Sequence, residues 1–169
     1  QRKASCRLRQ EPQKGRVIYM EDKLTICKEI ISDLDVLSER MSDFSRQPHD
    51  YGIDTPLYTK QIRLLQYISQ NPGCNVVSLA ALTGKTKGTI SLQLDRLIDL
   101  GLITKEKSQE SRREITISIT EEGRAACQYS DKMDHSFFSF LLERTPDFTL
   151  EQMNTIRRFI RLVLDAYWD

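Results

Sequence analysis

One short stretch, Ile115-Thr116-Ile117-Ser118-Ile119, alternates apolar and polar residues with a period of two, in a chain whose other apolar residues recur every three or four positions. Such alternation marks a strand, and a strand cannot stand alone. The neighbouring partner is 102–107, Leu-Ile-Thr-Lys-Glu-Lys, folded back across Ser108 to Arg113 as a hairpin with a polar, basic tip. Everything else that is patterned has a helical period. The predicted class is therefore mainly α with a small β-hairpin.

The helical segments carry their own boundaries. From Met20 to Arg46 the apolar residues Leu24, Cys27, Ile30, Ile31, Leu34, Leu37, Met41 and Phe44 form one stripe. Residues 47–56, with two prolines and a glycine, form a loop. Thr59 is placed as the cap of a second helix through Ile62, Leu65 and Ile68, stopped by Asn71-Pro72-Gly73. Asn75 caps a short third helix ending at Thr83-Gly84. Thr86 caps a fourth whose inward residues are Ile90, Leu94, Leu97 and Ile98, and Gly101 ends it. After the hairpin Thr120 caps a helix with Glu121 and Glu122 in its first turn, where carboxylates complement the dipole. Pro146 breaks the chain, and a last helix runs from about Leu150 through Met153, Ile156, Phe159, Ile160, Val163 and Tyr167.

Composition removes several function classes. At 169 residues, 39% hydrophobic and 29% charged, the chain is an ordinary globular protein. We expect a single domain over 20–169 preceded by a basic tail, 1–19, read as an arm touching phosphates or as a leader. No run is apolar and long enough for a membrane span or a secretory signal, so the expected address is cytoplasmic. Cys6, Cys27, Cys74 and Cys127 match no zinc or CxxC spacing, and His49 and His135 are the two histidines. No metal, no cofactor and no enzymatic activity is expected. Asp131 and His135 make an i, i+4 pair better read as a surface hydrogen bond than as metal ligands.

Charge is uneven where it matters. The formal net charge is +1, yet residues 85–113 carry seven bases and four acids whereas 20–46 carry four bases and seven acids. A basic stretch in an otherwise acidic body is what a polyanion would seek. It coincides with two short helices joined by a turn at Gly84 and followed by the hairpin, the order of a winged helix-turn-helix. A helix beginning at Thr86 fits a major groove, with its N-terminal residues at base edges. The candidate DNA contacts are Thr86, Lys87, Thr89, Ser91, Leu92, Gln93 and Arg96 on that helix. Arg112 and Arg113 at the hairpin tip are placed near the adjacent minor groove or its phosphates. Arg96 has the alternative of pairing with Asp95 or Asp99.

Residues 79–123, LAALTGKTKGTISLQLDRLIDLGLITKEKSQESRREITISITEEG, resemble the core of MarR-family transcriptional regulators. The resemblance rests on the leading Leu-Ala, the turn Gly, Thr-Ile-Ser, Asp-Arg-Leu, Gly-Leu-Ile entering the wing, and Thr-x-x-Gly opening the next helix. It implies a winged helix-turn-helix lobe at 57–120, with dimerisation helices at 20–46 and 121–169 from both ends of the chain. Three departures stand out: Ser111 where an Asp commonly precedes the wing arginine, Leu92 where a polar contact is common, and Gln93 where an apolar residue is.

The expected function is a homodimeric regulator, a repressor, on a palindromic double-stranded operator, released by a small aromatic or phenolic effector. Leu24, Ile31, Leu34, Phe159, Val163 and Tyr167 are the expected dimer contacts, since stripes this apolar exceed what soluble monomers expose. Tyr51, Tyr58, Tyr67 and Tyr129 are the candidate effector pocket, with core packing as the competing role. The alternatives are a winged-helix protein-interaction module that does not bind DNA and a cysteine-based redox regulator; the surroundings of Cys27, two Ile and several acids, do not activate a thiol.

Overall fold

The computed structural model describes residues 13–107 and 115–167. Its elements are α1 (Gln13–Arg46), β1 (Pro48–His49), β2 (Leu57–Tyr58), α2 (Thr59–Gln70), α3 (Val76–Thr83), α4 (Lys87–Asp99), β3 (Ile103–Lys107), β4 (Ile115–Ile119), α5 (Glu121–Arg144) and α6 (Leu150–Ala166). The chain divides into two compact units, one ending at Pro48 and one running from His49.

In the first unit α1 is 34 residues long, about 51 Å at 1.5 Å per residue. It begins at Gln13, seven residues before the expected start at Met20. Helix growth adds a hydrogen bond per residue once a nucleus exists, so the strongly patterned segment extends upstream although 13–19 lack a stripe of their own. The rest of the expected tail, 1–12, lies outside the described residues. Along α1 the residues Cys27, Ile30, Ile31 and Leu34 are half-buried, while Leu24, Leu37, Met41 and Phe44 are exposed.

The second unit is built on a core of Leu57, Leu65, Ile68, Leu79, Ile90, Leu94, Leu97, Leu102, Ile103 and Ile117, all fully enclosed. Each helix supplies residues three or four apart, so α2, α3 and α4 turn one face each into this core. Helix α2 packs on α5, and α3 on α4. The hairpin is antiparallel, pairing Ile103 with Ile119 and Lys107 with Ile115. Ile117 N–H also donates to the Cys74 carbonyl at 2.9 Å, which ties the wing to the segment before α3.

Of the four predicted caps, Asn75, Thr86 and Thr120 hold the positions assigned to them and Thr59 does not, and α6 has a cap, Thr149, that was not predicted. Asn75 Oδ1 accepts from the N–H groups of Val77 and Ser78 at 3.0 and 2.9 Å, and Ser78 Oγ accepts from Asn75 N–H at 3.0 Å. Thr86, Thr120 and Thr149 cap α4, α5 and α6 by accepting from Thr89, Gly123 and Gln152 N–H at 3.2, 3.1 and 3.2 Å. At α2 the cap is Tyr58, not Thr59, and Gln61 Oε1 accepts its N–H at 2.8 Å. The extended β2 strand ends at Tyr58, so the helix begins one residue earlier than the preference of threonine for cap positions suggests. Helix α4 ends at Gly101, φ 70°, with Leu102 N–H bonded to Leu97 O at 2.9 Å and Gly101 N–H to Ile98 O at 2.8 Å. Those two bonds are the Schellman stop that the glycine predicts. No helix among the described residues is long and apolar enough to cross a membrane.

Candidate nucleic-acid interface

The rotation of α4 is fixed by Ile90, Leu94 and Leu97, each with no exposed surface. What remains outside follows from helical geometry. Lys87, Gly88, Thr89, Leu92, Asp95, Arg96 and Asp99 are exposed, and Ser91 is half-buried. Lys85, in the turn after the left-handed Gly84, is also exposed. Two exposed lysines thus flank the start of α4, where the positive end of the helix dipole favours anions. Thr86 Oγ1 lies 2.9 Å from Thr89 Oγ1. The hydroxyl that caps the helix, that of Thr86, is thus also bonded to that of Thr89.

Gln93 stands apart from the other α4 candidates. It is half-buried, with Oε1 sealed from solvent, while Leu92 next to it is 67% exposed. The transposed pair seen in the sequence is therefore expressed as a glutamine turned toward the domain and a leucine turned away from it.

The wing lies beside this helix. The period of two places Lys105 on the same side of the hairpin as Ile103 and Ile117. Its ammonium emerges beyond them and pairs with Asp95 Oδ1 of α4 at 2.7 Å. Of the two carboxylates that were the alternative partners of Arg96, Asp95 is thus engaged by the residue ten positions later. Arg112 and Arg113 lie outside the described residues.

At the base of the wing three elements are joined. Thr120 Oγ1 donates to the Gly101 carbonyl at 2.8 Å, and Thr120 N–H donates to Leu102 O at 3.0 Å. Gly123, in the first turn of α5, lies so close to the Leu102 carbonyl and Ile119 that a β-carbon has no room. Here the Thr-x-x-Gly spacing has a steric cause.

The remaining candidates sit elsewhere. Leu24 on α1 and Tyr167 just past α6 are exposed, and Ile31, Leu34, Phe159 and Val163 are half-buried. Helix α6 buries no residue at all. The exposed apolar set extends past the predicted one to Phe137, Phe138, Phe140 and Leu142 on α5 and to Ile156, Ile160 and Leu164 on α6. Their three-and-four spacing was the available signal. A shallow, mainly apolar groove is lined by Phe148, Glu151, Gln152, Thr155 and Ile156 at the start of α6.

The four tyrosines have different surroundings. Tyr51 is buried, and burial pushes its hydroxyl pKa up. Tyr129 packs on Gly52, the residue that follows Tyr51. Tyr58 lies under the Lys60 ammonium, 5.5 Å from the ring centre. Tyr67 lines a surface groove along α2 with Arg63, Gln66 and Gln70.

Asp131, read with His135 as a surface hydrogen-bonding pair, accepts from Gln66 Nε2 at 3.1 Å, and among the described residues there is no group of three His, Cys, Asp or Glu side chains able to hold a metal. Cys27, Cys74 and Cys127 are free. Burial pushes the Cys74 thiol up, and burial with the nearby Asp131 pushes Cys127 up to about 11.

Comparison with known proteins covers the same region. The MarR family model matches residues 51–114. The HTH-type transcriptional regulator PetP of Rhodobacter capsulatus is 32% identical over 75 residues, 44% of this chain and 42% of PetP. The matched stretch is thus less than half the length of that relative. Among solved structures, the zinc-responsive MarR family member ZitR of Lactococcus lactis superposes with a TM-score of 0.67 at 15% identity, covering 84% of this chain and 99% of ZitR. FabT of Streptococcus pneumoniae, solved in complex with DNA, gives 0.66 at 14% identity over 84% of this chain and 97% of FabT. The match to the MarR family model thus falls on α2, α3, the capped α4 and the first strand of the hairpin, in a chain whose fold is that of these solved MarR-family regulators.

Proposed function

We propose that this protein is a sequence-specific regulator of transcription that binds double-stranded DNA as a homodimer, with α4 in the major groove. The observation that carries the reading is the outer face of α4. It exposes Thr86, Lys87, Thr89 and Leu92 in its N-terminal half and Arg96 in its last turn, while its other face is locked in the core. Lys85 and Lys87 supply phosphate contacts, Thr89 and Leu92 face base edges, and Arg112 and Arg113 contact the flanking backbone. The DNA complexes of FabT and of ZitR are of proteins with this fold. Repression from a palindrome, with release by a small aromatic effector in the groove of Arg63, Gln66 and Tyr67, completes the proposal.

Binding of duplexes selected from the host genome, followed by fluorescence anisotropy, tests it. If a dimer neutralises roughly 6 to 10 phosphates, affinity falls on the order of 10³ to 10⁵ between 50 and 200 mM salt. Absence of any bound duplex at low salt removes the reading.

A further inference from the structure

On α4, Leu92 points almost directly away from the core. Taking about 100° per residue, it points about 190° from the mean direction of Ile90, Leu94 and Leu97, and it is 67% exposed. Gly88 and Arg96, four residues before and after, share its side of the helix, and both are exposed. Gly88 answers no need of the fold: a β-carbon there would meet nothing within 4 Å, whereas helices favour Ala over Gly by about 1 kcal/mol. Its effect is to leave the helix surface low on the approach to Leu92. Gln93, the side chain on α4 best suited to bidentate contact with adenine, is turned inward with Oε1 sealed.

A leucine neither donates nor accepts a hydrogen bond, so in a major groove it can select one feature, the 5-methyl group of thymine. We propose that Leu92 is a specificity-determining residue that reads thymine through that methyl, with Gly88 permitting the close approach. The assignment rests on the DNA-binding reading above and adds the base and the chemistry of its recognition. Scattered exposed leucines are ordinary on protein surfaces; this one is singled out by its place, at the centre of the face that the core residues turn outward.

The test uses the full chain and its selected duplex, with each thymine replaced in turn by uracil, which removes the methyl and nothing else. At the thymine read by Leu92 the wild type loses about fourfold in affinity for each methyl removed, as expected for one buried CH₂-sized group. Leu92→Ala binds the thymine and uracil duplexes equally, and its melting temperature is that of the wild type because the side chain is exposed. Gly88→Ala weakens binding without lowering the melting temperature. Tolerance of uracil at every position by the wild type, or the same thymine preference in Leu92→Ala, overturns the assignment while leaving the regulator reading intact. If the wild type binds no duplex at all, both fall, and Leu92 becomes a contact for protein.

Discussion

A β-carbon at Gly123 would run into the Leu102 carbonyl and come within 2.8 Å of Ile119 Cγ1. Neither neighbour can yield, since one is backbone and the other belongs to the wing. Gly123→Ala is therefore expected to destabilise the fold by about 1 to 3 kcal/mol despite the better helix propensity of alanine. A lower urea midpoint at unchanged slope is the expected measurement; a stabilised variant would contradict the packing.

Cys127 offers a pH test. Burial first, and the Asp131 charge second, move its thiol from an ordinary 9.0 to about 11. As pH rises the unfolded thiol ionises before the folded one, so the folded state keeps its full advantage below about pH 9 and loses it on the way to about 11. Two units correspond to about 2 to 3 kcal/mol. Unfolding free energy should decline across this window and decline less in Cys127→Ala, with Cys74 and Tyr51, both also moved upward, supplying the remaining slope. Equal slopes in the two proteins would count against it. Single residues are also where the sequence was least transparent. The exchange at Leu92 and Gln93 was visible, but only the rotation of α4 decides which of them faces out.

Among the elements, the predicted hairpin strands at 102–107 and 115–119 match Ile103–Lys107 and Ile115–Ile119 almost residue for residue. Asn75, Thr86 and Thr120 cap the helices they were assigned to. Those signals are local, a side-chain oxygen reaching its own backbone two or three residues on, so one sequence suffices to read them. Pairings between elements are not local, and the Asp95–Lys105 bridge had no signature because it depends on how β3 lies along α4. That bridge includes a carboxylate, Asp95, on the exposed side of α4 that is proposed to face the groove. Asp95→Asn is expected to raise affinity for duplex several-fold at low salt, with the gain shrinking as salt screens it. Folding stability should change by less than about 1 kcal/mol, since both partners are solvated. Unchanged or weaker binding would place Asp95 away from the phosphates.

At the scale of the molecule, amphipathic helices were plain from spacing, but what covers them is not written in one chain. Helix α6 buries nothing, and Ile156, Ile160 and Leu164 remain exposed on it. A second copy is the proposed cover, so Val163→Glu should give single protomers in light scattering. Its duplex affinity should fall by 10² or more as the two half-sites cease to be bound together. The wild type should then melt at a temperature that rises with protein concentration. A concentration-independent transition, or a Val163→Glu variant that is still paired, would direct attention to a different partner.

The joint at Gly101, Leu102, Thr120 and Gly123 bears on how such a molecule moves. The end of α4, the root of the wing and the start of α5 share two hydrogen bonds and one close backbone approach. In the proposed regulator a torque on α5 would therefore swing helix and wing together, like the jaws of a caliper carried on one arm. Control would then act on the aim of an unbending reader.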